Sequence, residues 1–256
     1  MDFIKIERAG DYATIRLTRP EKRNSINNQM LTEFEAALTA VESDHAVRAL
    51  CLAGEGRHFC AGIDLAEGHR VAATEGGGRL SLEAVFHHLE GLKVPTVAAV
   101  QGAALAGGCE LALHCDMRIA AESARIGMPL ARIGLSPPFN FTRKLIEVIG
   151  APYTCQVLFT ADAIDGRRAY EIGMVNEVVP DAELDNAVKA LMQKVSANAP
   201  LSLRAMKATI RRCMSAAFDA AHEDIEELIA VVVKSQDSKE GSRAFLEKRK
   251  PVWKGV

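Results

Sequence analysis

The chain has 256 residues, 48% of them hydrophobic and 25% charged, with a formal net charge of -2. That length accommodates one large domain, or a core with an appendage, and the composition is that of an ordinary globular protein. The near-neutral charge gives no reason to expect a nucleic-acid or anionic-membrane partner.

Phe3–Arg8 and Ala13–Thr18 alternate in polarity around Ala9-Gly10-Asp11 and predict a hairpin. The N-terminal stretch has no basic segment followed by a long apolar one, so no signal peptide is expected. Asn27 predicts a helix N-cap, with Met30, Phe34, Ala37, Leu38 and Val41 on one face as far as about Val41. Val47–Ala53, Thr96–Val100 and Asp116–Ala120 predict strands buried on both faces. Val94 to Cys115 is almost wholly apolar but is interrupted by Pro95, Gln101, Gly102, Gly107, Gly108 and Glu110. A central Glu is costly in a bilayer, so this segment predicts a strand, a glycine turn and a buried helix rather than a membrane span, and a cytoplasmic protein. The Gly76-Gly77-Gly78 run predicts a mobile loop.

Beyond about residue 138 the pattern is mainly helical. Leu184, Val188, Leu191, Met192 and Val195 fall at helical spacing, as do Ile225, Leu228, Ile229 and Val232. Ala199-Pro200 separates two helices, and Val175–Val179 predicts one short strand. The alternation of strands and helices makes this an α/β chain. Cys51, Cys60, Cys109, Cys115, Cys155 and Cys213 all lie in apolar stretches without metal-binding spacing. Six buried free thiols and no zinc site are expected.

Two glycine-containing segments carry the chemistry. Val100-Gln-Gly-Ala-Ala-Leu-Ala-Gly-Gly-Cys-Glu-Leu111 follows a strand and opens a helix. Unpaired N–H groups and the positive end of the dipole at a helix start favour an anion or a carbonyl oxygen that gains charge. The segment has neither P-loop nor dinucleotide-fingerprint spacing. Close strand–helix packing would explain the same glycines. Glu110, three residues after Gly107, is either a dipole partner or a carboxylate within reach of whatever sits on the N–H groups. The dipole favours its ionised form and burial opposes it. His58-Phe-Cys-Ala-Gly-Ile-Asp-Leu65 likewise follows a strand and brings small residues to a ligand. Asp64 caps or anchors the next element, and His58 is a loop residue. His87 and His88 are adjacent on an amphipathic helix and point in different directions, which argues against a metal site.

Together these segments resemble the enoyl-CoA hydratase/isomerase (crotonase) family. Pro20-Glu-Lys-Arg-Asn-Ser-Ile-Asn27 is similar to its early P-x-x-R-N-A-L-N segment, His58–Leu65 to F-x-A-G-x-D-L, and Gln101–Leu111 to G-x-x-x-G-G-G-C-E-L. Asp116-Met-Arg-Ile-Ala120, Ala161–Asn176 and Glu240–Pro251 continue the resemblance in order. It implies a crotonase-like spiral of ββα units over 1–195 and a helical C-terminal trimerisation region over 196–256, in a homotrimer or hexamer. It implies an acyl-CoA substrate, with no metal and no cofactor beyond that coenzyme A. The N–H groups of Ile63 and Gly107 would form the oxyanion hole, with Glu110 as base. Arg23, Ser25, Ala61, Asp64 and Leu65 would lie along the CoA, and Lys248 would reach one of its phosphates.

The chain departs from the family at one place. The hydratases' second glutamate follows a proline, and here the segment reads Ile126-Gly-Met-Pro-Leu-Ala-Arg-Ile-Gly134, so Leu130 stands in the substrate pocket where the acid would be. The glycines beyond it are replaced in Pro137-Pro-Phe-Asn-Phe-Thr142, with Arg132 and Asn140 as nearby polar groups. Three readings follow. Hydration of a 2-enoyl-CoA, or its reverse, leads. Double-bond isomerisation or another enolate reaction, such as thioester hydrolysis or decarboxylation, comes second. A catalytically weak acyl-CoA-binding protein comes third.

Overall fold

The computed structural model describes residues 1–66, 80–215, 230 and 233–252. The Gly76-Gly77-Gly78 run and the apolar positions Ile225, Leu228, Ile229 and Val232 lie outside the described residues.

The predicted hairpin forms from β1 (Ile4–Ala9) and β2 (Tyr12–Leu17), paired antiparallel with Ile4 opposite Leu17 and Ile6 opposite Ile15. Asn27 caps α1 (Asn28–Ser43): its side chain accepts from the Met30 N–H at 2.9 Å, and the five predicted apolar positions are all buried. The chain then enters β3 (Ala49–Gly54), α2 (Leu82–Gly91), β4 (Thr96–Val100), β5 (Ala103–Leu105), α3 (Gly107–Leu113), β6 (Met117–Ala121) and β7 (Arg125–Gly127). A second half follows: α4 (Phe139–Thr160), β8 (Ile164–Asp165), α5 (Gly166–Glu171), β9 (Glu177–Val179), α6 (Leu184–Ser196) and α7 (Pro200–Ser215). A last helix spans Gln236–Leu246. α4 is broken at Gly150, whose φ of 70° is not helical, two residues before Pro152.

The large sheet has the order β1-β2-β3-β4-β6-β9, and every pairing after β1–β2 is parallel. Pleating sends alternate residues of a strand to opposite faces, and both faces are covered. Leu50 and Leu52 of β3, with Ala98 and Val100 of β4, join the core that contains α1 and α2. Ala49, Cys51, Ala53, Val97 and Ala99 face the other way, onto Leu184, Val188, Met192 and Val195 of α6. The continuous apolar runs in the sequence are the mark of this double burial.

A second row of extended chain runs beside the first. β5 pairs parallel with β7, and β7 antiparallel with β8. The single bridges Cys60–Ala104 and Ile26–Ile63 continue the row. Each pass of the chain therefore lays one strand in the large sheet and one shorter segment in the small row, which makes the path a spiral. Arg118 is buried and donates to the carbonyl oxygens of Cys115 and Met174, each at 2.7 Å, holding the end of α3. Beyond α6, Lys207 of α7 donates to the Val94 carbonyl at 3.0 Å and pairs with Asp116 at 2.8 Å.

One expectation is corrected. All six cysteines are free, but only Cys51, Cys60, Cys109 and Cys115 are buried, while Cys155 and Cys213 are exposed. Apolar neighbours in sequence do not bury a residue that the helical turn sends outward. Cys155 sits between buried Thr154 and Val157, on the outer side of α4. No helix among the described residues is long and apolar enough to cross a membrane.

Candidate active site

The loop after β3 is tied down on both sides of Ile63. Ile26 N–H donates to the Gly62 carbonyl at 2.7 Å, and Asp64 N–H donates to the Ile26 carbonyl at 2.9 Å. In a parallel bridge these two bonds turn the intervening N–H the opposite way. The Ile63 N–H accordingly meets no acceptor among the described backbone bonds. The second loop is held by Ala106, whose N–H donates to Gly127 at 2.9 Å and whose φ of 49° is unusual for a residue with a Cβ. That turn starts α3 at Gly107, whose N–H is also without an acceptor there.

The two loops touch through their glycines. A Cβ on Gly107 would lie 3.6 Å from Ile63 Cγ1 and 3.7 Å from Gly62 Cα, and one on Gly62 would meet the Leu105 carbonyl at 2.8 Å. A Cβ on Gly108 would overlap the Cys60 carbonyl oxygen at 2.0 Å. Glycine thus lets the loop carrying Ile63 lie against the start of α3, where neither the Ile63 nor the Gly107 N–H has an acceptor among the described backbone bonds. The close-packing reading of these glycines therefore holds.

Glu110 sits in the first turn of α3, fully buried, and neither carboxylate oxygen has a hydrogen-bond partner among the described residues. Burial pushes its pKa well above the usual carboxylate value, with the nearby Lys144 charge opposing. An unsatisfied buried carboxyl costs stability, so its persistence calls for a role. His114 follows one turn on. Its Nδ1 lies 2.8 Å from the Glu110 main-chain oxygen and 3.8 Å from Glu110 Oε2. The ring packs against Phe86 and Phe141 at 5.5 and 6.0 Å, and burial pushes its pKa down to about 4. Beyond it lies Glu90, ion-paired with Lys144 at 2.5 Å, which in turn holds Glu147 at 2.9 Å. Burial opposes ionisation of Glu90, but His87 and Lys144 outweigh it and hold the carboxyl far below the usual range. These groups line a cavity of about 480 Å³ between α2, α4 and α7.

The remaining residues named from the sequence divide into two groups. Arg23, Ser25, Ala61, Asp64 and Leu65 are brought together: the Ala61 N–H donates to the Arg23 carbonyl at 3.0 Å, and Arg19 donates to the Ser25 carbonyl at 3.1 Å. Asp64 anchors its loop by pairing with buried Arg19 at 2.7 Å and accepts from the Ala66 N–H at 3.2 Å. Lys248 is exposed just past the last helix, and nothing among the described residues ties it to the others. His58 is a loop residue whose Nδ1 accepts from the Ala103 N–H at 3.1 Å. His87 and His88 do point apart, toward Glu90 and Glu35 respectively.

Leu130 is half-buried against the core in the 3-10 turn Pro129–Ile133, with Gly241 of the last helix pressed on the Ile133 carbonyl. Phe141 is buried and stacks on Phe86 at 5.8 Å. Asn140 donates to Glu83, and Arg132 turns to Asp162 at the surface. Among the described residues no three His, Cys, Asp or Glu side chains gather closely enough to hold a metal ion.

The family model for enoyl-CoA hydratase/isomerase matches residues 7–256. The chain belongs to this family. It is 37% identical to a short-chain-enoyl-CoA hydratase of Clostridium acetobutylicum, covering 98% of this chain and 97% of the relative. It is 38% identical to a crotonyl-CoA hydratase of Syntrophomonas wolfei, over 96% of each. Among solved structures, carnitinyl-CoA hydratase from Mycobacterium avium superposes with a TM-score of 0.84 at 33% identity, over the full length of both chains. The spiral is thus the crotonase fold, as the sequence resemblance implies.

Sequence reasoning did not find His114, Glu90 or Lys144. The four-residue spacing of Glu110 and His114 is a visible signal, since it puts both on one helix face. Glu90 and Lys144 are 54 positions apart, and only the packing of α2 on α4 joins them.

Proposed function

We propose that the protein adds water across the double bond of short 2-enoyl-CoA thioesters, and catalyses the reverse elimination. The observation that carries this reading is the buried carboxyl of Glu110, without a hydrogen-bond partner among the described residues, in the first turn of a helix whose Gly107 packs against Gly62 and Ile63. The hydratase names of the relatives at 37% and 38% identity support it.

In this reading the thioester oxygen accepts from the Ile63 and Gly107 N–H groups. Charge that moves onto that oxygen when C3 is attacked is met by donors already in place, each worth about 2.7–4 kcal/mol of barrier. Glu110 takes a proton from water as its oxygen bonds to C3. It then returns that proton to C2, on the same face, because one carboxyl serves both transfers. Its raised pKa suits both duties better than an ordinary carboxylate would. Leu130 supplies no second acid, so a rate below that of a two-glutamate site is expected. Arg23, Ser25, Ala61, Asp64 and Leu65 line the CoA, with Leu130 against the acyl group and Lys248 on a phosphate, in this subunit's site or a neighbour's. The reaction needs no metal or further cofactor. Exposed Leu201, Met206 and Ile210 on α7 suit a face covered in a trimer or hexamer.

The second reading is a double-bond isomerase, favoured by Leu130 and by the single carboxylate, since a 1,3-proton shift needs only one. Incubation with crotonyl-CoA and with 3-enoyl-CoA in D₂O, followed by mass and NMR analysis, separates the two. Addition of D₂O to crotonyl-CoA supports hydration. Deuterium at Cα or Cγ with no added water overturns it in favour of isomerisation.

A further inference from the structure

Arg19 is buried, and its guanidinium is tied to both segments that meet at the Ile26–Ile63 bridge. Its Nη1 donates to the Ser25 carbonyl at 3.1 Å and to Asp64 Oδ2 at 2.7 Å. Ser25 comes just before Ile26, and Asp64 just after Ile63. One nitrogen therefore spans the bridge. The main chain of Arg19 reaches the same loop from its other end. Its N–H donates to Asn24 Oδ1 at 2.9 Å, and Asn24 Nδ2 donates to the His58 carbonyl at 2.7 Å.

Three backbone bonds also join the segments, from Ala61 to Arg23, from Ile26 to Gly62 and from Asp64 to Ile26. Among the described backbone bonds only the last of these holds the chain after Ile63, and the bridge is an isolated one that no ladder extends. A single bond there leaves the Ile63 peptide free to tilt, and a hydrogen bond weakens steeply as its donor turns away from the acceptor. The Arg19–Asp64 pair adds a charge-assisted hold at that point. Stability alone does not account for this pair. Burying two charges is costly, and apolar side chains of similar volume commonly fill such a place with no loss of stability.

We propose that Arg19 is a positioning residue for the oxyanion hole: through Asp64 and Ser25 it fixes the direction of the Ile63 N–H toward the thioester oxygen. This rests on the reading of the Ile63 and Gly107 N–H groups as the donors to that oxygen. Arg19 makes no bond to the substrate and takes part in no proton transfer. Its effect is on the charge that gathers on the oxygen as C3 is attacked, where a donor already aimed counts most. Loss of the clip leaves the Gly107 donor in place and loosens the other. Polarisation of the thioester carbonyl then falls without disappearing.

The test reads that polarisation directly, in butyryl-CoA with a ¹³C-labelled thioester carbonyl bound to the full chain at saturation. Butyryl-CoA has no double bond to hydrate, so the complex persists. In isotope-edited infrared difference spectra, the carbonyl band of the native complex should lie at lower wavenumber than that of the free thioester. In Arg19→Met this displacement should shrink by about half, and kcat for crotonyl-CoA, per site titrated with butyryl-CoA, should fall about tenfold to hundredfold. Asp64→Ala should do the same, and it carries the test if Arg19→Met does not fold. Because both act at one clip, the double variant should lose little more than either alone. A residue that only held the fold together would lower the melting temperature and the number of binding sites, but would not move the band of the thioester that is bound. A native displacement that persists in folded Arg19→Met or in Asp64→Ala, or losses that add in the double variant, overturns the clip. No displacement in the native complex would instead overturn the reading of the two N–H donors, so the two failures are distinct.

Discussion

His114 donates from Nδ1 to the main-chain oxygen of Glu110 at 2.8 Å, while the same nitrogen stands 3.8 Å from the Glu110 carboxylate. One helical turn thus couples a buried acid that favours its proton to a buried base that resists one. Both owe their shifted affinity first to burial. The pair gives the site a distinctive dependence on pH.

The sign for His114 runs from about 6.5 when unfolded to about 4 when folded. Between those values the unfolded chain binds the extra proton, so stability falls as pH drops through this window, by about 3 kcal/mol in all. Glu110 acts oppositely. Its folded pKa is raised, so its contribution is present below the ordinary carboxyl value and is lost as pH rises through the folded one. Urea midpoints at pH 7.5 and pH 5 check this. His114→Phe should flatten the acid loss, and Glu110→Gln should stabilise the protein more at pH 7.5 than at pH 5.

The contact between the two loops makes a second expectation. A Cβ on Gly108 would overlap backbone atoms of Cys60, at 2.0 Å from its oxygen and 2.7 Å from its carbonyl carbon. Gly108→Ala should therefore cost about 3 kcal/mol or more, because neither backbone gives way easily. A Cβ on Gly107 meets only ordinary contacts at 3.6–3.7 Å. Gly107→Ala should unfold within about 1 kcal/mol of the native protein. Thermal melts of the two neighbours would show the contrast.

Much of this architecture is legible in the sequence, for definite reasons. Strands buried on both faces read as unbroken apolar runs, as in β3 and β4. The Asn27 cap and the apolar face of α1 are local features. The short segments β5, β7 and β8 are not legible, because two or three residues carry no periodicity. In the site, Glu110 and the two glycine loops are visible because each stands in a motif. The cluster behind Glu110 is not, since Glu90, His114 and Lys144 meet only through tertiary packing. Exposed Cys155 shows the converse: an apolar neighbourhood in sequence does not by itself bury a residue in space.

Leu130 invites restoration of the missing acid. It projects from the 3-10 turn Pro129–Ile133 and is half-buried against the core. Leu130→Glu should raise the hydration rate by about tenfold or more, toward the 10²–10⁴ range of one added acid–base group. Progress curves with crotonyl-CoA measure it. No gain would mean that the pocket around Leu130 has been rebuilt for other chemistry.

The role of Glu110 is tested most directly by the steady-state hydration of crotonyl-CoA by Glu110→Gln, with binding of the thioester followed separately by calorimetry. The amide keeps the shape and removes the proton transfer. The rate constant kcat should fall by about 10²–10⁴ while the dissociation constant stays within about threefold. Hydration at an undiminished kcat would contradict the assignment of Glu110 as the group that moves the proton.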